Sequence, residues 1–250
     1  MTTTHAYDSI GIGYRTHRLP DPRFAARILD ALADANRILN IGAGTGSYEP
    51  SSKRVVAVEP SATMIRQRPV RSAPCVQAVA QALPFGDEAF DAAMAILTVH
   101  HWSHIAEGLQ ELRRVTTSKI VILTWDPEFD EQFWLTRDYL PEVLAFDRAR
   151  FPKLAVIERY LGLLKVERLP IPWDCTDGFR SAYWKRPHAY LDRQIQQSIS
   201  SFAQLDPNVV ARATSKLAVD LASGEWARRN PELESRDELD VGYRIVTSSS

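Results

Sequence analysis

Arg37-Ile-Leu-Asn-Ile-Gly-Ala-Gly-Thr-Gly46 decides the fold. Its first five residues form a short apolar run, the pattern of a strand buried on both faces of a parallel sheet. The run stops at Gly42, and three of the chain's 11 glycines fall at positions 42, 44 and 46. Glycine there lets the backbone turn sharply and lets a ligand approach without meeting a Cβ. A helix that follows such a loop offers unpaired N–H groups to an anion. In open parallel sheets, ligands lie beyond the carboxyl ends of the strands. Gly42, Gly44 and Gly46 are therefore candidate ligand-binding positions.

The next apolar run, Val55-Val-Ala-Val58, ends in Glu59-Pro60. A carboxylate at that strand end can accept hydrogen bonds from both hydroxyls of a ribose. Loop and acid together imply a nucleoside-containing ligand. The spacing of the loop narrows the choice. A dinucleotide fingerprint requires G-x-G-x-x-G, but here the glycines run G-x-G-x-G and Ser47 stands at the required third position. A nicotinamide-dependent oxidoreductase is thereby disfavoured. The phosphate-binding G-x-x-x-x-G-K-[ST] loop is absent.

Outward from this stretch, strands alternate with helices. Asp21-Pro22 reads as an N-cap and first helical residue, and Phe24, Ile28 and Leu32 predict an amphipathic helix over 22–34. A short helix is expected over 61–67, with strands over 75–79, 90–99 and 119–124. A helix runs from Ser103 through Arg114. This order implies a parallel sheet covered on both faces. Beyond Trp125, residues 130–160 read as helical and 164–170 as a sixth strand. Helices follow over 188–203 and 207–222, and a last strand over 240–247. The chain is expected to be one domain: a ligand-binding core over 1–125, a helical insertion and cover with strand six over 126–235, and the last strand and tail over 236–250.

Composition agrees. A chain of 250 residues buries about 70–75% of its unfolded surface and needs no staple. Lys plus Arg is 30 and Asp plus Glu is 31, a net charge of −1. That excludes a general electrostatic grip on nucleic acid or an anionic membrane. Cys75 and Cys175 are the two cysteines, too few for a disulfide scaffold or a Cys-rich zinc module, and no metal is expected. No apolar run reaches the ~20 residues of a membrane span, and the N-terminus lacks the pattern of a signal peptide. The expectation is a soluble, cytoplasmic protein, monomer or homodimer, whose partner is a small molecule.

An ordered set of segments carries a family resemblance: Ile38 to Gly46, Val58-Glu-Pro-Ser-Ala-Thr-Met64, Ala80-Gln-Ala-Leu-Pro-Phe85, Phe90-Asp91, His100-His-Trp102 and Glu111-Leu-Arg-Arg-Val115. In this the chain resembles the class I S-adenosylmethionine-dependent methyltransferases, in particular the ubiquinone/menaquinone-biosynthesis-like, type 11 group. The resemblance implies a Rossmann-like, seven-stranded, mainly parallel sheet with helices on both faces, an antiparallel final hairpin and a helical C-terminal cover. It implies S-adenosylmethionine as cofactor and S-adenosylhomocysteine as product. Gly42, Gly44 and Gly46 would line the methionine end, Glu59 with Pro60 would hold the ribose, and Met64 would pack near the adenine. Ala80 and Gln81 would meet the adenine edge, and Leu97 would lie along the cofactor. Tyr14 and Arg15 would close over it near its carboxylate, with Tyr7 beside the acceptor. Two positions depart from the family pattern. Asn40 replaces the acid usual before the loop, and Val79 replaces the acid before Ala80. These departures motivate the alternative of a protein that binds the cofactor without transferring methyl groups, as a sensor or partner.

Methyl transfer from a sulfonium is an in-line displacement in which the protein chiefly supplies positioning and a water-poor site. His100 and His101 follow strand four, near the reacting centre. Adjacent residues on an extended strand point to opposite sides, so one of them, His101, is expected to face the site, as a base or as a shaper of the pocket. Trp102, Trp125, Trp134 and Tyr183 are the aromatic candidates for an apolar acceptor pocket.

Overall fold

The computed structural model describes residues 18–129 and 133–249. Tyr7, Tyr14 and Arg15 lie outside the described residues. The chain opens with helix α1 (Pro22–Leu32), capped by the Asp21 carboxylate, which accepts from the Arg23 N–H. It continues through β1 (Arg37–Ile41), β2 (Arg54–Val58), α2 (Ala62–Arg66), β3 (Cys75–Val76), β4 (Phe90–Ile96), α3 (Ile105–Val115) and β5 (Thr116–Trp125). Then come α4 (Pro141–Arg148), α5 (Leu154–Leu161), β6 (Leu164–Arg168), β7 (Ile171–Pro172), α6 (Arg193–Ser198), α7 (Ser200–Gln204), α8 (Pro207–Ala222), α9 (Glu225–Arg229), β8 (Glu238–Leu239) and β9 (Tyr243–Ser249).

Seven strands form one sheet in the order β3-β2-β1-β4-β5-β9-β6. The first five are parallel, and β9 runs antiparallel between β5 and β6. The chain reverses direction across the sheet at β1, where β2 and β4 lie on opposite sides. A crevice opens at such a point beyond the strand ends.

Strand residues alternate between the two faces. Ile38, Met94, Val121 and Leu123 join Phe24, Ile28 and Leu32 of α1 and the buried aromatics of the C-terminal half. Leu39, Ile41, Ala93, Ile120 and Ile122 join Leu109 and Leu112 of α3 with Ile157 and Leu161 of α5. The expected helical stretch over 130–160 is thus divided. It contains a π-turn (Leu135–Tyr139) and α4 on the first face, whereas α5 packs against α3 on the second. The later helices α6 to α9 surround the aromatic cluster of the first face.

Three further expected elements differ. The helix expected over 188–203 is divided into a 3-10 turn (Pro187–Leu191), α6 and α7. Strand three stops at Val76 rather than at 79; the chain then leaves the sheet, and Ala78, Val79 and Ala80 become a cavity wall. Strand four stops at Ile96 rather than at 99. Leu97 takes a left-handed conformation (φ 52°), and Val99–His101 form a 3-10 turn.

Candidate active site

A cavity of about 330 Å³ opens at the carboxyl ends of β1, β2 and β4. Asn40, Gly42, Gly44, Glu59, Pro60, Met64, Ala80, Gln81, Leu97, His101 and Trp102 all line it, so eleven positions singled out from sequence converge on one space. The size falls within the range of small-molecule sites, about 300–1,000 Å³.

The loop after β1 is held from two sides. The Ala43 N–H donates to the Val58 carbonyl at 3.0 Å. The Glu59 carboxylate accepts from the Gly44 N–H at 2.8 Å and from the Ser61 N–H at 2.9 Å. Glu59 therefore ties the loop to the N-terminus of α2 while standing in the cavity wall. Gly42 is in the left-handed region (φ +64°), and a Cβ there would meet Thr98 Oγ1 at 1.9 Å. Gly46 takes another role than expected. It is not among the lining residues, and its bare Cα faces Glu49, Ser72 and Arg68.

Asn40 does not stand alone at the end of β1. Its amide donates to Glu49 Oε1 at 3.1 Å, and the Arg68 guanidinium pairs with Glu49 at 2.7 Å, both side chains being buried. A carboxylate thus lies beside the loop although the strand carries an amide one residue before its end, and Arg68 offsets its charge. Along the far wall, Val79 offers only apolar surface, and Gln81 is the nearby polar side chain, bonded through Nε2 to Ser103 Oγ at 2.9 Å. Trp102 closes the wall by lying on Gly108 of α3, where a Cβ would sit 2.5 Å from the indole.

The two histidines do not diverge as strand residues would. The 3-10 turn brings their rings to 3.9 Å of each other, and His100 stacks on Phe151 at 4.0 Å. Burial, with Arg150 and Arg18 nearby, pushes His101 down to about 3. Burial likewise lowers His100 well below the ordinary histidine range, with His101 and Arg150 adding to the effect. Both imidazoles are neutral at neutral pH and bind a proton weakly.

Trp125, Trp134 and Tyr183 lie in the core and are absent from the lining of this cavity. Trp125 is 1% exposed and donates its indole N–H to the Val241 carbonyl at 2.8 Å. Trp134 donates to the Trp184 carbonyl and meets Tyr139, Tyr190 and Trp226 edge-on. Tyr183 packs against Tyr190 and carries the Arg186 guanidinium over its ring. Buried Trp and Tyr normally find a polar partner for the ring's handle, and both tryptophans have theirs inside the core.

Sequence reasoning missed the polar lining residues Arg18, Tyr48, Arg150 and Asp177. Asp177 accepts from Arg18 and from the Tyr48 hydroxyl at 2.8 Å, which joins the chain start, the loop after β1 and the C-terminal half. Tyr48 adopts a left-handed backbone (φ 63°) to reach this position. Its place two residues after the glycine loop was the signal available; Asp177 lies 129 residues further on.

The family model for a methyltransferase domain matches residues 39–122. The crystal structure of a candidate methyltransferase from an antibiotic biosynthesis pathway of Anabaena variabilis is similar at 32% identity and a TM-score of 0.86, over 94% of this chain and 99% of that one. An S-adenosylmethionine-dependent methyltransferase of Thermotoga maritima shares the fold at 15% identity and a TM-score of 0.59, over 98% of each chain. The uncharacterized Bacillus subtilis methyltransferase YcgJ is 26% identical over 118 residues, which is 43% of this chain and 42% of that protein.

Proposed function

We propose that this chain, which belongs to the class I S-adenosylmethionine-dependent methyltransferases, transfers the methyl group to a small-molecule acceptor. The observation that carries this reading is the convergence of loop, acid and aromatic wall on one cavity at the sheet's switch point. The residues present fit the cofactor: bare backbone at Gly42 and Gly44, a buried carboxylate at Glu59 and apolar surface from Met64, Val79 and Ala80 line the same space. When bound, the cofactor supplies a methyl group on a sulfonium sulfur and is left as S-adenosylhomocysteine.

The chain's own residues position and exclude. Glu59 would accept from the ribose hydroxyls, since each carboxylate oxygen can accept more than one hydrogen bond. Met64 and Ala80 would pack against the base, with Gln81 as the polar contact at its edge. Trp102 and the helical cover keep water out. His101 acts as a neutral imidazole that orients the acceptor by hydrogen bonding rather than as a proton store, because a base of such low proton affinity draws little driving force from proton transfer. Tyr7, Tyr14 and Arg15 remain candidates for closing the site from the chain start. No helix among the described residues is long and apolar enough to cross a membrane.

The test is turnover. Purified protein with S-adenosylmethionine and a library of small hydroxy, amino and carboxylic compounds should form S-adenosylhomocysteine with at least one acceptor. Tight cofactor binding with no turnover across such a library would favour the non-transferring alternative.

A further inference from the structure

A second, smaller chamber of about 50 Å³ adjoins the main cavity. Leu97, His101, Arg18 and Arg150 line both, so the two spaces meet at these side chains. The small chamber is walled by Phe146, Phe151 and Phe179, with Ser200, Ser201 and Gln204 of α7 across from the histidine turn. A cavity of this kind needs about 10–15 Å³ to hold one water molecule, so the chamber takes a small functional group and not a whole ligand.

Its charges are unequally matched. Arg180 pairs with Asp147, and Arg18 pairs with Asp177. Arg150 has no carboxylate partner among the described residues. One of its terminal nitrogens donates to Gln204 Oε1 at 2.8 Å, and its guanidinium lies 4.8 Å above the Phe146 ring. These contacts hold the guanidinium in place and leave its charge uncompensated. The buried Nδ1 of His100, on the same wall, has no hydrogen-bond partner. A planar guanidinium that is already oriented matches a carboxylate through paired N–H···O bonds. One unmatched positive charge calls for a monoanion.

We propose that this chamber is the acceptor's anion pocket and that Arg150 binds a carboxylate on the acceptor. The inference rests on the methyltransferase reading above and names the substrate class of that site: a small carboxylic acid whose charged end enters the chamber while the rest extends toward the main cavity. Arg150 thereby sets specificity and is not part of the methyl-transfer chemistry.

The experiment uses the full chain saturated with S-adenosylhomocysteine and titrated with benzoate, 4-hydroxybenzoate, benzamide and phenyl phosphate. The proposal expects an acid to bind at least about tenfold more tightly than benzamide. Arg150→Met should abolish that preference, and Arg150→Lys should restore part of it. S-adenosylhomocysteine affinity should stay within about twofold in both variants. Acids that bind no better than benzamide would overturn the proposal, as would phenyl phosphate binding more tightly than benzoate. A different result would overturn it by reassigning Arg150 to the cofactor. Arg150→Met would then weaken S-adenosylhomocysteine about tenfold or more and leave 5′-methylthioadenosine, which lacks the amino-acid end, unchanged. Failure of the parent protein to bind S-adenosylhomocysteine at all would remove the methyltransferase reading as well, a result distinct from all the others.

Discussion

Glu59 accepts a hydrogen bond from the Gly44 N–H at 2.8 Å. The acid at the end of β2 thus shapes the loop after β1, and the two sequence features that define the site are one structural unit. On the proposed function, removing the carboxylate takes away a ligand contact as well as the loop tether. Glu59→Ala should weaken S-adenosylhomocysteine binding by ~1–3 kcal/mol through lost charged hydrogen bonds. Glu59→Gln should fall between, because it keeps one acceptor oxygen. Calorimetry on folded variants checks this, and parent-like affinity in Glu59→Ala would remove Glu59 from the ribose assignment.

Gly42 tolerates no side chain. Its backbone is left-handed and its Cβ would fall 1.9 Å from Thr98 Oγ1. Left-handed backbone costs a non-glycine residue about 1–2 kcal/mol, and overpacking adds about 1–3 kcal/mol. Gly42→Ala should therefore lower stability in urea denaturation by about 2–5 kcal/mol. Gly44→Ala should cost less, since its Cβ would stand 3.3 Å from the flexible Met64 methyl. Equal losses at the two positions would contradict the loop geometry.

The histidine turn makes stability depend on pH. Burial depresses His101 to about 3 from an ordinary 6.5. Between these values the unfolded chain binds a proton that the folded chain does not, so stability is full above about 6.5 and falls as pH drops toward 3. The melting temperature should already decline between pH 6.5 and 5, above the ordinary range of carboxylates, and His101→Gln should lessen that decline, with the equally buried His100 accounting for the part that remains. The same depression predicts no activity titration near 6.5 from His101. A kinetic pKa near 6.5 that vanishes in His101→Gln would show the imidazole acting as a base of ordinary strength.

Trp102 owes its position to Gly108. A Cβ at 108 would collide with the indole at 2.5 Å, and the ring lines the main cavity. Gly108→Ala should displace the ring and weaken S-adenosylhomocysteine about tenfold, roughly 1.4 kcal/mol, with unchanged far-ultraviolet circular dichroism. Parent-like affinity would mean that the indole contributes no binding surface.

Much of the core was legible because local chemistry and global fold agree there. The apolar run 37–41 is the strand itself, and Asp206-Pro207 starts α8 where an N-cap and a first-turn proline belong. The glycine-loop side of the cavity was legible for the same reason, since Gly42, Gly44 and Glu59 sit at strand ends marked by apolar runs. The aromatics of the cover were not. Trp134 is buried by Trp184, Tyr190 and Trp226, and no periodicity carries contacts over such separations. Strand four was expected to run to Val99 and to leave His100 and His101 on opposite sides; the left-handed Leu97 follows a strand that ends at Ile96, and a 3-10 turn brings the two rings together, with His101 still lining the cavity. Arg18 reaches Asp177 across 159 positions of sequence, a relation that single-sequence pattern leaves invisible.

The central claim is that the cavity at the carboxyl ends of β1, β2 and β4 holds S-adenosylmethionine. Calorimetric titration of the purified chain with S-adenosylmethionine, S-adenosylhomocysteine and NAD tests it most directly. The account predicts saturable one-to-one binding of the first two and none of NAD, whose pyrophosphate the G-x-G-x-G loop is not spaced to receive. Binding of NAD, or no binding of either S-adenosyl compound, would contradict it.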